Sequence, residues 1–274
     1  MKSTIVIIVG VFAVLGLLLG FSASFNTQRE DPMSAAVAGV ENRINQAISA
    51  MVETSELDEV KRTDFIDAID VTQMGIPEDA DIDKREVARQ LLSENPEFAS
   101  IFFLTPSGDL YLGEPYEQQE QLPRLNYADR DWYKGVTSTG EPYVSSVFTS
   151  AAIHVPAVAV AVPVFGDDET AVVGYWVAIV NLDDMKSDLN EIAGESRILL
   201  VDHNATEVAD TGRTSQLTEL QFFAQLESVQ RALSGESGTM VEVVDGVEMN
   251  ARFAPVRAHP NTWAIVILDE AEPL

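Results

Sequence analysis

Between residues 33 and 54 apolar side chains return every third or fourth position, so that Val37, Val40, Ile44, Ile48 and Met51 share one stripe of a helix. Such a stripe suits a helix packed on its own domain, and it also suits pairing with a second copy. Residues 83–93 repeat the helical pattern more briefly and stop near Asn95-Pro96, because proline cannot extend the hydrogen-bond ladder. The period then shortens to about 2, the signature of strands. Residues 100–105 and 109–112 flank Pro106-Ser107-Gly108 and predict a β-hairpin. Residues 118–123 read as polar loop and 130–138 as one or two helical turns. Three strands follow at 143–149, 155–164 and 171–180, with Asp167-Asp168 turning between the last two.

Along the middle strand valines alternate with Ala157, Ala159 and Ala161, so one face is a row of small side chains. That face accepts either a closely packed helix or the floor of a ligand cavity. A connecting helix is predicted at 183–192, with Asp183 and Asp184 capping its start. The strand pattern resumes at 197–202 and 206–209 around His203-Asn204. A helix at 217–233 ends at Gly235, and strands at 239–244, 247–255 and 262–268 complete the pattern, the first pair turning at Asp245-Gly246. Strands, a helix and an antiparallel meander therefore occur twice, without any sequence repeat. The fold class this predicts is α+β.

Residues 4–25 hold no charge and reach the ~20 residues that a membrane-crossing helix requires. Lys2 precedes them and acidic sequence follows, which predicts a single-pass anchor with its N-terminus in the cytoplasm. Ser22-Ala23-Ser24 leaves a cleaved, secreted form open. Both readings put residues 26–274 outside the cytoplasm.

Charge narrows the partners. Asp and Glu number 44 against 17 Lys and Arg, a formal net charge of −27 over 274 residues, which repels nucleic acid and anionic lipid alike. Cysteine is absent, so disulfides and thiolate metal sites are excluded. His154, His203 and His259 are far apart, and no metal or other cofactor is expected. Neither GxSxG, HExxH nor a phosphate-binding glycine loop occurs, and no catalytic residues are predicted.

The run from Asp129 to Gly135 gathers a guanidinium and two aromatic rings, Arg130, Trp132 and Tyr133, within four residues. A planar cation suits a carboxylate, and aromatic walls keep water from it. The plain alternatives are that Arg130 pairs with Asp129 or Asp131 and that the rings are core. Taken in order, RDWY, GEPY and VAVPVF resemble the double Cache (dCache) extracellular sensor domains of chemoreceptors and sensor histidine kinases. The resemblance implies two PAS-like modules after a long helix. The segments become an anchor at 1–25, a stalk helix at 26–60, a membrane-distal module at 61–182 and a membrane-proximal module at 183–274. It implies a small-molecule ligand in the distal module, held by Arg130 and Trp132 at its carboxylate, with Tyr133, Tyr143 and Phe148 as further contacts.

Leu125, Phe148 and Ile179 stand where amino-acid-binding members carry two tyrosines and an aspartate, with Tyr127 or Tyr143 able to substitute for a tyrosine. Burying an ammonium without a counter-charge costs several kcal/mol, so an organic acid is expected in preference to an amino acid. The resemblance further implies signal transduction, as in chemotaxis; because 272–274 follow the last strand directly, the signal is expected to pass through the single N-terminal helix or an unidentified signalling partner, and the stalk stripe leaves a homodimer open. An extracellular scaffold that has lost its pocket is the alternative.

Overall fold

The computed structural model describes residues 31–167, 170–213 and 218–271. The apolar segment at 4–25 lies outside them, as does Asp168. No helix among the described residues is long and apolar enough to cross a membrane.

Helix α1 (Pro32–Ser55) starts where Asp31 accepts a hydrogen bond from the Ser34 amide at 3.2 Å and proline takes the first helical position. Its buried stripe is Ala36, Val40, Ile44, Ala47 and Met51, with Val37 and Ile48 half-buried at its flanks. The predicted helix is therefore present, rotated slightly toward its alanines. The short α2 (Asp58–Lys61) and α3 (Ile82–Glu94) follow.

The first sheet contains β1 (Phe98–Leu104), β2 (Leu110–Glu114), β3 (Tyr143–Val144), β4 (Phe148–Thr149), β5 (Pro156–Phe165) and β6 (Val172–Asn181). Its order is β2-β1-β6-β5-β3, with β4 also on β5, and every pair is antiparallel. Between β2 and β3 come α4 (Tyr116–Glu120) and α5 (Asp131–Thr139). After α6 (Asp183–Ala193) the second sheet forms from β7 (Arg197–Val201), β8 (Glu207–Asp210), β9 (Gly238–Val244), β10 (Val247–Ala258) and β11 (Asn261–Glu270), with α7 (Glu227–Leu233) between β8 and β9. Its order is β8-β7-β11-β10-β9, again antiparallel. Counted within each sheet, with β3 and β4 as one broken strand, both orders read 2-1-5-4-3. The architecture is mixed α/β, two antiparallel sheets with flanking helices.

The alternation of β5 sorts its two faces. Val158, Val160, Val162 and Val164 join the core under α1, while Ala157, Ala159 and Ala161 pack beneath α5 with Val136 and Trp132. The alanine row thus admits a close helix. Helix α1 serves both sheets: its stripe shares one core with Trp176 and Val160 of the first and Trp263, Ile265 and Val256 of the second.

Three local expectations are corrected. Residues 143–149 form two short strands because the backbone amides of Ser146 and Val147 turn to the side chains of Asp131 (2.9 Å) and Asp202 (2.6 Å). Residues 118–120, expected as loop, belong to the helix Tyr116–Glu120. The helix predicted at 217–233 begins only at Glu227; residues 221–223 run extended, with the Glu207 amide bonded to the Gln221 carbonyl and the Phe223 amide to that of Ala205. Asp183 and Asp184 occupy the first turn of α6, where their charge suits the helix start, and the Asn181 side chain accepts from the Asp183 amide at 3.0 Å.

Candidate functional site

Beside β2 the chain doubles back. The Leu110 amide bonds to the Leu125 carbonyl and the Tyr127 amide to the Gly108 carbonyl, so residues 125–127 lie along the sheet edge and lead into α5. Arg130 adopts an extended backbone just before the helix, and Trp132 enters its first turn. On the other side β4 delivers Phe148, and a turn bonded from the Ser150 amide to the Val155 carbonyl brings round Ser150, Ala151 and Ala152.

A pocket lies between these pieces. Phe102 and Leu104 of β1, Leu110 of β2 and Ile179 of β6 form its floor, and Leu122, Tyr127, Arg130, Trp132, Phe148 and the 150–152 turn form its walls. The space open to the centre of a water molecule is about 30 Å³, room for about two or three waters. The lining is apolar except for Tyr127, Arg130 and Ser150, and it contains no acidic residue.

Arg130 is half-buried, with its guanidinium carbon 5.4 Å from the centroid of Phe148. Neither neighbouring carboxylate claims it. Asp129 pairs with Arg124 at 2.6 Å, and Asp131 accepts from the Ser146 amide at 2.9 Å and from the Tyr143 hydroxyl at 3.3 Å. Among the described residues no carboxylate lies within 4.0 Å of Arg130. The Tyr127 hydroxyl is buried and meets no partner at full hydrogen-bond geometry, although the Arg124 guanidinium, 4.9 Å from the ring centroid, is near enough to act on it. Burial pushes its pKa up, while the cations of Arg124 and Arg130 pull the other way. Ser150 Oγ accepts from the Ala152 amide at 3.2 Å, which leaves its own proton available. The pocket therefore offers donors and one positive charge.

Of the five expected contacts, Arg130, Trp132 and Phe148 line the pocket. Tyr133 does not: its hydroxyl donates to the Pro106 carbonyl at 2.7 Å, and its ring meets Tyr175 edge-on at 5.2 Å. Tyr143 packs its ring on Gly135. Both fasten α5 to the sheet. Tyr127 and Ser150 were missed as principal candidates. Tyr127 had a faint signal, three residues ahead of Arg130, and Ser150 had none. Among the described residues no group of three His, Asp or Glu side chains could hold a metal ion.

Two antiparallel sheets of one strand order, a long helix common to both and a small pocket on the first define a two-module α/β protein. The sequence model of the double Cache family, described as a Cache domain, matches residues 21–273, and the chain belongs to that family. Its fold is similar to three ligand-binding domains of chemoreceptors. That of PctB from Pseudomonas aeruginosa PAO1, in complex with L-Arg, has 15% identity and a TM-score of 0.64, covering 88% of this chain and 93% of the other. That of CtaA from Pseudomonas fluorescens, in complex with L-isoleucine, has 14% identity and a TM-score of 0.59, covering 88% and 90%. That of PctC from P. aeruginosa PAO1, in complex with GABA, has 17% identity and a TM-score of 0.57, covering 87% and 94%. No curated protein matches the chain. At these identities the structural likeness speaks for the fold alone.

Proposed function

We propose that the chain is the extracellular sensor part of a membrane-anchored signalling protein, and that its first module is membrane-distal and binds a small carboxylate. The observation that carries this reading is Arg130, a half-buried guanidinium at a pocket whose flanking acids, Asp129 and Asp131, are engaged elsewhere. A carboxylate completes its charge, and Trp132 and Phe148 shield the pair from water. The similar receptors are named with L-Arg, L-isoleucine and GABA, all of which carry an ammonium group. Here Ile179 and the rest of the lining supply no acid to receive one. A buried, unpaired ammonium costs several kcal/mol, so the reading favours an organic acid. The net charge of −27 slows an approaching anion, but salt confines that field to ~8–10 Å.

A thermal-shift screen of organic acids and amino acids against the purified chain tests the reading. An acid that binds only the native state raises the melting temperature, and Arg130→Ala removes that rise. A screen in which no acid stabilises the chain, with Arg130→Ala silent, supports instead a scaffold that docks a partner protein.

A further inference from the structure

The pocket carries its charge at the mouth and its hydrocarbon at the depth. Arg130, Phe148, Ala151 and Ala152 are half-buried, whereas Phe102, Leu104, Leu110 and Ile179 are 7% exposed or less. An acid whose carboxylate meets Arg130 therefore points its chain inward, and the floor limits how far that chain runs. Room for about two or three waters, at ~30 Å³ each, comes to roughly 60–90 Å³, the bulk of a two- or three-carbon acid. A second carboxylate at the far end of the ligand would enter an apolar floor that holds no cation to meet it.

Ile179 is the side chain that sets this depth. Its cross-strand neighbours on the same face of the sheet are small: Ser100 on β1 and Ala159 on β5 stand directly opposite it. Ser100 is tied to the Gln118 side chain, and beyond Ala159 lies Ser145, whose hydroxyl accepts from the Ala159 amide at 2.8 Å. One branched side chain thus fills the bottom of the pocket within a row of small ones. Trimming it opens room that these neighbours are too short to fill. Resting on the reading of Arg130 as a carboxylate site, we infer that Ile179 fixes the length of the ligand and restricts the pocket to monocarboxylic acids of two or three carbons.

Straight-chain acids from acetate to hexanoate are the probes, titrated calorimetrically into the full chain. Affinity is expected to rise about fourfold from acetate to propionate, the gain of one buried methylene. It then falls at least about fivefold by pentanoate, whose chain overfills the floor. Ile179→Ala deepens the floor and moves the best-bound acid from propionate to pentanoate or longer. Ile179→Val, a smaller cut that spares more of the core, moves it to butyrate. An affinity that climbs unbroken from acetate to hexanoate in the unaltered chain overturns the inference while leaving the carboxylate site standing. So does a best-bound acid that stays at propionate in every variant that folds. Absence of binding by all the acids, with Arg130→Ala unchanged from the parent, overturns both.

Discussion

Asp129, Arg130 and Asp131 stand side by side in the chain, and their order alone cannot say which charges meet. Geometry decides it. The extended backbone at Arg130 sends the flanking carboxylates away, one to Arg124 and the other over residues 143–146. Trp132 and Phe148 could be placed from the sequence because they sit at fixed distances from the motif. Tyr127 could be placed only as a substitute for a family tyrosine and Ser150 not at all, since each reaches the pocket through a reversal of the chain that depends on backbone bonds to distant residues. Gly135 gives a test at this scale. A Cβ there would lie 2.3 Å from Tyr143 Cε2. Gly135→Ala gains about 1 kcal/mol of helix propensity but overpacks a buried ring, which costs typically 1–3 kcal/mol. A net loss of up to about 2 kcal/mol is expected in urea unfolding, and a more stable variant would show that α5 does not press on Tyr143.

At the scale of elements, the strand broken at residues 143–149 is fastened from both sides. The second sheet contributes the His259 carbonyl to the Val144 amide at 2.8 Å, the Asn261 side chain to the Val144 carbonyl at 2.9 Å, and Asp202 to the Val147 amide. Asp202 is fully buried and also accepts from the Asn204 and Thr206 amides. No periodicity announces such a clamp, and it is the reason the expected single strand divides. Asp202→Ala strips two buried amides, those of Val147 and Thr206, and the half-buried amide of Asn204 of their acceptor, a buried one being worth ~1–3 kcal/mol when left unpaired, with water returning part of it. A loss of about 2–4 kcal/mol is expected by denaturant unfolding; a loss below about 0.5 kcal/mol would mean that the clamp is not holding the strand.

Helix α3 has its own signature in pH. Lys84 is wholly buried, bonded to the Arg62 carbonyl and lying 4.0 Å from the centroid of Phe103. Burial lowers its pKa to about 8, against the opposing pull of Asp81. Between pH 8 and the usual lysine value of about 10.4, the unfolded chain holds a proton that the folded chain releases. Stability from this residue therefore rises with pH across that window. Nearby Tyr111, its pKa raised by burial, acts the opposite way above pH 10, so the clean interval is pH 8 to 10. Lys84→Met should flatten the slope measured there, whereas a slope unchanged from the parent would place Lys84 in contact with water.

For the molecule as a whole, the repeated order of strands, helix and meander was readable because each piece is short, periodic and bounded by Gly, Pro or Asp. Its weakest point was residues 217–226, where apolar spacing imitates a helix although residues 221–223 pair with the edge of β8. The sequence also held no hint that one helix binds both sheets into a single core. That core includes Trp176 from the first sheet and Trp263 from the second. Calorimetric unfolding is expected to show one transition that coincides with the tryptophan fluorescence change. Two resolved transitions would show that the modules unfold separately despite α1.

The proposed function joins an acidic exterior to a pocket that one guanidinium lines. The most direct measurement is calorimetric titration of the full chain with lactate and with alanine, which share a skeleton and differ in carrying a hydroxyl or an ammonium. The account predicts saturable binding of lactate, lost in Arg130→Ala, and none of alanine. Alanine or another free amino acid binding more tightly than every acid tried would contradict it.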